Sequence, residues 1–379
     1  MNNRRAIGAI FLDLKKAFDT VNHNLLLNRL SMYGVNGYEL EWFKSYLSNR
    51  NQCVNINSVL SDFKHVNIGI PQGSILGPLL FIIFVNTLPQ SVSCKSVMYA
   101  DDTTLLCSSE TASQLQTDLE NNLNNIADWF KKNHLTLNIK KTKFMIFGTW
   151  HVLSKFDDIK LSYCDQTIEK VDQFKYLGVI FDSNLTWSNH INYVSKNISK
   201  RCGVINRIKY YLPQSTLTML ANALALPHFD YCSPVWSNCS GELANSLQIL
   251  QNRLARIILS ADIRTPTDEM MDKLNWIKLD KRWYNQLLVI VLKCIKDQAP
   301  SYLSSNLTFT HSVHNIETRG QISNMLYLPK WNSNSGKRTF NVRAVKIWND
   351  LPSNIRSNFN TMSLSMLKNA TLCTSTKTM

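Results

Sequence analysis

Long hydrophobic runs are what this 379-residue sequence most plainly lacks. The longest, residues 75–85, is interrupted by Gly77 and Pro78 and falls well short of the roughly 20 apolar residues a membrane-spanning helix needs. No secretory leader is expected from this segment: the apolar residues 6–12 run straight into Asp13 with no small-residue cleavage site. Nine cysteines are present, an odd number with no C-x-x-C pair. This excludes a disulfide framework and points to reduced, mostly buried intracellular thiols. His228, Cys232 and Cys239 are the nearest approach to a metal-ligand cluster, but their spacing matches no standard zinc module and reads as core packing. Internal repeats and low-complexity tracts are absent as well. Acidic residues are scarce, 27 against 41 Lys and Arg, for a net charge of +14. Such a surplus favours a polyanionic partner, nucleic acid first and an acidic membrane surface second. With 44% hydrophobic and 18% charged residues the chain has ample apolar side chains for a core, which excludes a disordered or fibrous protein; its length fits two or three domains.

The first 150 residues alternate apolar strands with helical segments. Residues 6–14 read as a buried strand, and residues 22–33 as a helix with Leu25, Leu26 and Leu30 on one face, Asn22 or Asn24 as cap, and Gly34 and Gly37 as its end. Residues 52–56 and 63–68 alternate like paired strands around a polar turn at 57–62. Residues 74–85 read as a packed helix. Residues 97–106 form a hairpin with Asp101-Asp102 at its turn, and a long helix follows, capped by Ser108 or Ser109 and striped by Leu115, Leu119, Leu123, Ile126 and Phe130. Residues 143–147 and 174–181 are two further strands. The expected fold class is α+β, an antiparallel sheet with helices on one face. From about residue 185 the pattern turns helical, over 191–208, 243–257 and 267–295 with a break near Leu279; periodicity then fades until 340–351.

Three carboxylates stand in apolar surroundings: Asp13 at a strand end, and the adjacent Asp101 and Asp102. Buried acids are rare unless paired or bound to a cation. Hard oxygen ligands suit Mg²⁺, and two such ions a few ångströms apart stabilise both the attacking and the leaving oxygen of a phosphoryl transfer. The competing reading is a solvated Asp-Asp turn, against which the strand formers on both sides of the pair weigh.

On these residues the chain resembles the reverse transcriptases. Phe-Leu-Asp-Leu-Lys-Lys-Ala-Phe-Asp at 11–19, Gly-Ile-Pro-Gln-Gly-Ser-Ile-Leu-Gly-Pro at 69–78 and Tyr-Ala-Asp-Asp at 99–102 are similar to motifs A, B and C. Residues 137–143 resemble motif D, and residues 174–179 the primer-grip motif E. The wording of motifs A and B is that of non-LTR (LINE, jockey-like) retrotransposon polymerases. Any one motif is weak; all five in family order are specific. The resemblance implies a right-hand polymerase palm over residues 1–182, a helical thumb-like region over 183–260, and a C-terminal helical or irregular region over 261–379. It implies that Asp13, Asp101 and Asp102 hold two Mg²⁺ (or Mn²⁺) ions for transfer of a deoxynucleotide to a primer 3′-hydroxyl on an RNA template. Phe18 matches the aromatic that excludes a 2′-hydroxyl, with an ordinary core aromatic as the competing reading. Gln72 and Gly73 match the turn that contacts nucleotide and template. Lys141 is the choice for the motif D lysine, with Lys140 and Lys143 as rivals, and Leu177 and Gly178 form the primer grip.

Lys196, Lys200, Arg201, Arg207 and Lys209 fall in a segment without acids, expected to lie along phosphates, with a solvated helix face as the alternative. Motif A begins only 12 residues into the chain, so the fingers and endonuclease regions of such polymerases are expected to be missing. The second functional class is therefore a truncated chain that binds nucleic acid without synthesis. A nuclease using the same acids is a weaker third. Residues 1–150 carry a net +3 and residues 151–379 a net +11, which places grip behind and carboxylate chemistry in front. The partners implied are RNA, a DNA primer and deoxynucleoside triphosphates, in the nucleus or cytoplasm and away from membranes.

Overall fold

The computed structural model describes residues 5–313, 324–331 and 333–367. The chain divides into two units: residues 3–174 with 182–184, and residues 175–181 with everything from 185 onward.

The first unit is built on a six-stranded sheet. Its central strand β1 (Ala6–Leu12) is apolar along its length because neighbours flank it on both edges and side chains pack on both faces. Two small hairpins, β2 (Arg50–Gln52) with β5 (Lys64–Val66) and β3 (Asn55–Ile56) with β4 (Val59–Leu60), lie outside that sheet. The sheet itself continues with β6 (Lys95–Tyr99), β7 (Asp102–Ser109), β8 (Lys143–Phe147), β9 (Leu161–Tyr163) and β10 (Gln166–Lys170), in the order β6-β7-β1-β8-β10-β9. It is antiparallel apart from the parallel β8–β10 pair, so the expected all-antiparallel sheet is corrected at that one seam.

Helices α1 (His23–Met32), α2 (Gly37–Leu47) and α3 (Gly77–Val85) pack beside one another. Asn22 caps α1 as expected, its side chain accepting from the Leu25 N–H. Gly37 opens α2 instead of ending α1; α2 escaped the sequence pattern because only Leu47 of its residues is buried. The paired strands at 52–56 and 63–68 are likewise redistributed, since left-handed Asn57 and Ser58 make a tight inner hairpin. The long helix α4 (Ala112–Lys132) buries the whole expected stripe against the sheet and is capped by Thr111, not by Ser108 or Ser109, which belong to β7. A single turn, α5 (Trp150–Leu153), follows β8.

Residues 174–181, read as one strand, are instead a hairpin of β11 (Gln173–Tyr176) and β12 (Val179–Asp182) turning at Leu177-Gly178. The second unit continues as helices: α6 (Ser188–Ile208), α7 (Gln214–Leu224), α8 (Leu226–Asp230), α9 (Ser233–Trp236), α10 (Gly241–Leu259), α11 (Thr267–Leu274) and α12 (Leu279–Ile295). They close around Trp236, which is fully buried, donates to the Tyr231 carbonyl at 2.8 Å, and meets Trp283 edge-on. Asp230 is gripped by a two-pronged ion pair from Arg282 and by a 2.8 Å bond from Gln286. The remaining helices, α13 (Ser301–Ser304), α14 (Asn334–Lys337), α15 (Phe340–Asn349) and α16 (Ser353–Ser357), accompany a further core around Trp348. Among the described residues no helix is long and apolar enough to cross a membrane.

His190 on α6 is buried, accepts the Ile180 N–H on Nδ1 at 3.3 Å, and leaves Nε2 without a partner. Burial first, and Lys175 second, push its pKa down to about 4. The unfolded chain therefore takes up this proton first as pH falls below the ordinary imidazole value of 6.5. Its stabilising contribution is complete above pH 6.5 and lost toward pH 4, on the order of 2–3 kcal/mol. Chemical denaturation of wild type and His190→Gln across this range checks it: the variant's stability should vary less with pH.

Candidate active site

The antiparallel register of β1 with β7 pairs Leu12 with Thr103. Asp13 and Asp102 are the next residues beyond that pair, near enough for the charge of Asp13 to act on Asp102. Asp102 is also the partner of Tyr99 across the β6–β7 hairpin, whose turn is Ala100-Asp101 with Ala100 left-handed at φ 53°. Two neighbouring strands thus bring all three carboxylates to one end of the sheet. Asp102 and Asp13 are half-buried and Asp101 is exposed. Burial raises the Asp102 pKa above the usual carboxylate range, and the charges of Asp101 and Asp13 raise it further. Mutual repulsion of this kind is what a bound cation relieves.

The donor set is hard oxygen only and suits Mg²⁺ or Mn²⁺. Among the described residues, however, no three acidic, His or Cys side chains are gathered as a finished metal centre. The structure brings the strand ends together; it does not close the carboxylates around a point.

Asp13 is held by its backbone. Its N–H donates to the buried Thr142 hydroxyl at 3.3 Å, and its carbonyl accepts from the Asn138 N–H at 2.7 Å. Motif D is thereby laced to motif A. Of the three candidate lysines, Lys143 is committed to Glu169 at 2.5 Å and to the Lys140 carbonyl at 2.8 Å. Lys140 lines a 590 Å³ cleft with Lys15 and Lys131, and Lys141 stands exposed in the turn between them.

Motif B is laced to motif A on its other side. The Gly69 N–H donates to the Val21 carbonyl at 2.7 Å, the Ile70 N–H to the Phe18 carbonyl at 2.8 Å, and Gln72 Nε2 to Asp19 Oδ1 at 2.7 Å. Gly69 is left-handed (φ 90°), and a Cβ there would lie 2.8 Å from the Asp19 carbonyl oxygen. Gly73 is also left-handed, but a Cβ there would meet nothing within 4 Å. Within this chain the glycine at 73 is set by its backbone angle, and the space beside it is open. Phe18 is half-buried and stacks on Phe81 at 4.6 Å, so the competing core reading is part of its role. Sequence reasoning missed Asp19, Gly69, Asn138 and Thr142. Gly69 and Asp19 were legible as members of the motif strings; Asn138 and Thr142 act through partners that no local pattern reveals.

In the second unit, the Leu177-Gly178 turn has both residues left-handed, at φ 45° and 82°. A leucine rarely adopts this conformation. The Tyr231 hydroxyl donates to the Leu177 carbonyl at 2.8 Å, and its ring lies where a Gly178 side chain would be. Tyr231 is thus a positioning residue of this turn that the sequence did not disclose. Tyr231→Phe should loosen the turn by about 1 kcal/mol, giving roughly fivefold faster amide exchange at 177–180 with α6 and α10 unchanged; exchange mass spectrometry reads this directly.

Of the five basic candidates, Lys196, Lys200 and Arg207 are exposed and fall within about 40° of one another around α6, at 100° per residue. Exposed Tyr193 continues their stripe and carries the Lys175 ammonium 4.6 Å over its ring. Arg201 turns back to the Asn197 carbonyl of its own helix, and Lys209 sits over Tyr210. The structure gathers three of the five.

Motifs A to D laced around three carboxylates at one sheet end define a polymerase palm. Residues 1–181 match the family described as reverse transcriptase (RNA-dependent DNA polymerase). The chain is 28% identical over 277 residues to a probable RNA-directed DNA polymerase from transposon BS of Drosophila melanogaster, covering 68% of this chain and 29% of that protein. It is 26% identical over 299 residues to the polymerase of the mobile element jockey of the same species, covering 75% of this chain and 32% of that one. A looser structural likeness, TM-score 0.35 at 11% identity, links 71% of the chain to 49% of a telomerase from Candida tropicalis in complex with a telomeric RNA fragment. Residues 1–181, just under half of the chain, thus match the reverse transcriptase family, and the relatives the chain resembles are RNA-directed DNA polymerases of transposons. It spans about a third of the length of those transposon relatives.

Proposed function

We propose that the chain supplies the palm and the nucleic-acid-holding helices of an RNA-directed DNA polymerase, extending a DNA primer on an RNA template from deoxynucleoside triphosphates. The observation that carries this is the β1–β7 register, which ends at Leu12–Thr103 and so brings Asp13 to the same sheet end as Asp101 and Asp102, where the charges of Asp101 and Asp13 both act on Asp102. These carboxylates would hold two Mg²⁺ or Mn²⁺ ions, which supply activation of the primer 3′-hydroxyl and neutralise charge on the reacting phosphate. The chain's own residues do the rest. Gln72, tethered to Asp19, fixes the motif B turn, and the open space beside Gly73 receives nucleotide and template. Phe18, seated on Phe81, is a rigid wall against a 2′-hydroxyl. Lys141, the one of the three lysines with no partner or cleft of its own, faces the leaving pyrophosphate. Leu177 and Gly178 hold the primer end. We assign residues 1–182 to the palm, 183–260 to a thumb and 261–379 to a C-terminal region, acting in the nucleus or cytoplasm.

Primer extension on an RNA template with Mg²⁺, comparing wild type with Asp101→Ala, tests the reading: extension by wild type alone supports it. Intact salt-dependent binding with no extension by wild type would leave a nucleic-acid binder and overturn it. Each phosphate contact contributes about 0.7–0.9 to the slope of log K against log salt. Replacing Lys196, Lys200 and Arg207 together by Ala should flatten that slope by about 2–3, and replacing Arg201 and Lys209 should change it far less. Fluorescence anisotropy with a labelled primer–template measures both.

A further inference from the structure

The nine cysteines read as scattered thiols, yet the fold brings two of them together. The β6–β7 ladder ends at the pair Lys95–Leu106, and Cys94 and Cys107 are the next residues beyond that pair on the two sides. Directly opposed residues of an antiparallel ladder have Cα atoms about 4.5–5.5 Å apart, inside the window of about 4.4–6.8 Å that a disulfide requires. The two thiols are near enough for each to perturb the other's titration. A single amide steadies both: Asn122 Oδ1 accepts from the Cys94 N–H at 3.2 Å, and Asn122 Nδ2 reaches the Cys107 sulfur at 3.9 Å. Cys107 is buried, whereas Cys94 is half-buried and reachable from solvent.

We propose that Cys94 and Cys107 form a reversible dithiol–disulfide pair, a redox modification site that staples the base of the hairpin that carries Asp101 in its turn and Asp102 at the start of β7. The two thiols have distinct parts. The Cys107 side chain holds the Cys94 thiol below its ordinary pKa, and the Cys94 side chain together with burial raises that of Cys107. Cys94 is therefore the attacking thiolate and Cys107 the resolving thiol. With a peroxide as oxidant, the Cys94 sulfur attacks one oxygen of H₂O₂. The O–O bond breaks, an S–OH forms, and the departing hydroxide takes a proton to become water. Cys107 then gives up its proton and its sulfur attacks the Cys94 sulfur. The S–S bond forms, the S–O bond breaks, and a second water leaves. Two thiols lose two electrons to one peroxide, and a dithiol reductant reverses the change. The closed loop contains the whole Asp-Asp turn, so oxidation fixes the pairing of β6 with β7, in which a one-residue slip would turn every side chain to the other face.

The test uses the full chain, treated with a stoichiometric amount of hydrogen peroxide, alkylated, digested without reduction and mapped by mass spectrometry. The expected result is a Cys94–Cys107 linked peptide appearing before any other disulfide and disappearing with dithiothreitol. Cys107→Ser should yield no such link and a dimedone-reactive sulfenic acid at Cys94, and Cys94→Ser should leave Cys107 unoxidised. Recovery of both residues as alkylated free thiols while exposed Cys164 is oxidised, or a link from Cys94 to a different cysteine, overturns the proposal. Wild-type mapping alone decides this if either variant folds poorly.

Discussion

Asp102→Asn is expected to abolish primer extension, by at least about 10³-fold in the rate of single-nucleotide incorporation, while the folded protein becomes more heat-resistant. On the proposed role of Asp102, the first effect follows from removing a carboxylate that would hold the metal ions beside the reacting phosphate, where electrostatic groups of this kind contribute on that scale. The second follows from the cause of the raised Asp102 pKa: burial, then Asp101, then Asp13. Each penalises a carboxylate and spares an amide of the same shape. The backbone pairing of Asp102 with Tyr99 is indifferent to the substitution. Incorporation kinetics and a melting curve on one preparation check both arms. Incorporation within tenfold of wild type would remove Asp102 from the chemistry, and a lower melting point would show that the carboxylate stabilises the hairpin. A site whose functional groups strain the fold that carries them is the familiar opposition of stability and activity.

Gly69→Ala is expected to destabilise the first unit by about 3–4 kcal/mol and to lower extension with it. Two penalties combine. The φ of 90° is strained for any residue with a side chain, and the new methyl would stand 2.8 Å from the Asp19 carbonyl oxygen. That oxygen belongs to backbone and cannot swing aside. The strand of contacts it would spread, Gly69 to Val21 and Ile70 to Phe18, joins motifs A and B, so relief of the clash moves Gln72 away from Asp19. Gly73→Ala makes the informative comparison, because its φ of 79° carries strain but no atom lies within 4 Å. It should cost about 1–2 kcal/mol. Equal destabilisation of the two variants in denaturant titrations would show that backbone angle, not the contact with Asp19, governs position 69.

Much of the fold was legible because burial leaves a local signature. The stripe on α4 and the apolar run of β1 exist in the sequence for the same reason that they are buried in the fold. Asn22 announced its helix by a bond three residues away. Helix α2 gave no such sign because it buries almost nothing. The hairpin at 173–182 was hidden because its turn uses a leucine in a left-handed conformation, which no turn rule anticipates. Lys143 looked equal to Lys141 until Glu169, 26 positions away in another strand, claimed it.

By itself the sequence pointed to the proposed chemistry: three carboxylates, in a motif order, on a chain whose cations lie mostly toward its C-terminal half. Residue types and their spacing are enough for that, since ligand hardness and charge are properties of side chains. Only the tertiary structure decided which groups meet. Pairing in an antiparallel ladder joins positions whose numbers sum to a constant, so the β1–β7 ladder leaves Asp13 and Asp102 as the next residues beyond Leu12 and Thr103, and the β6–β7 ladder leaves Cys94 and Cys107 beyond Lys95 and Leu106. That constant is set by register, which depends on core packing across the whole sheet and is written in no local stretch of the chain.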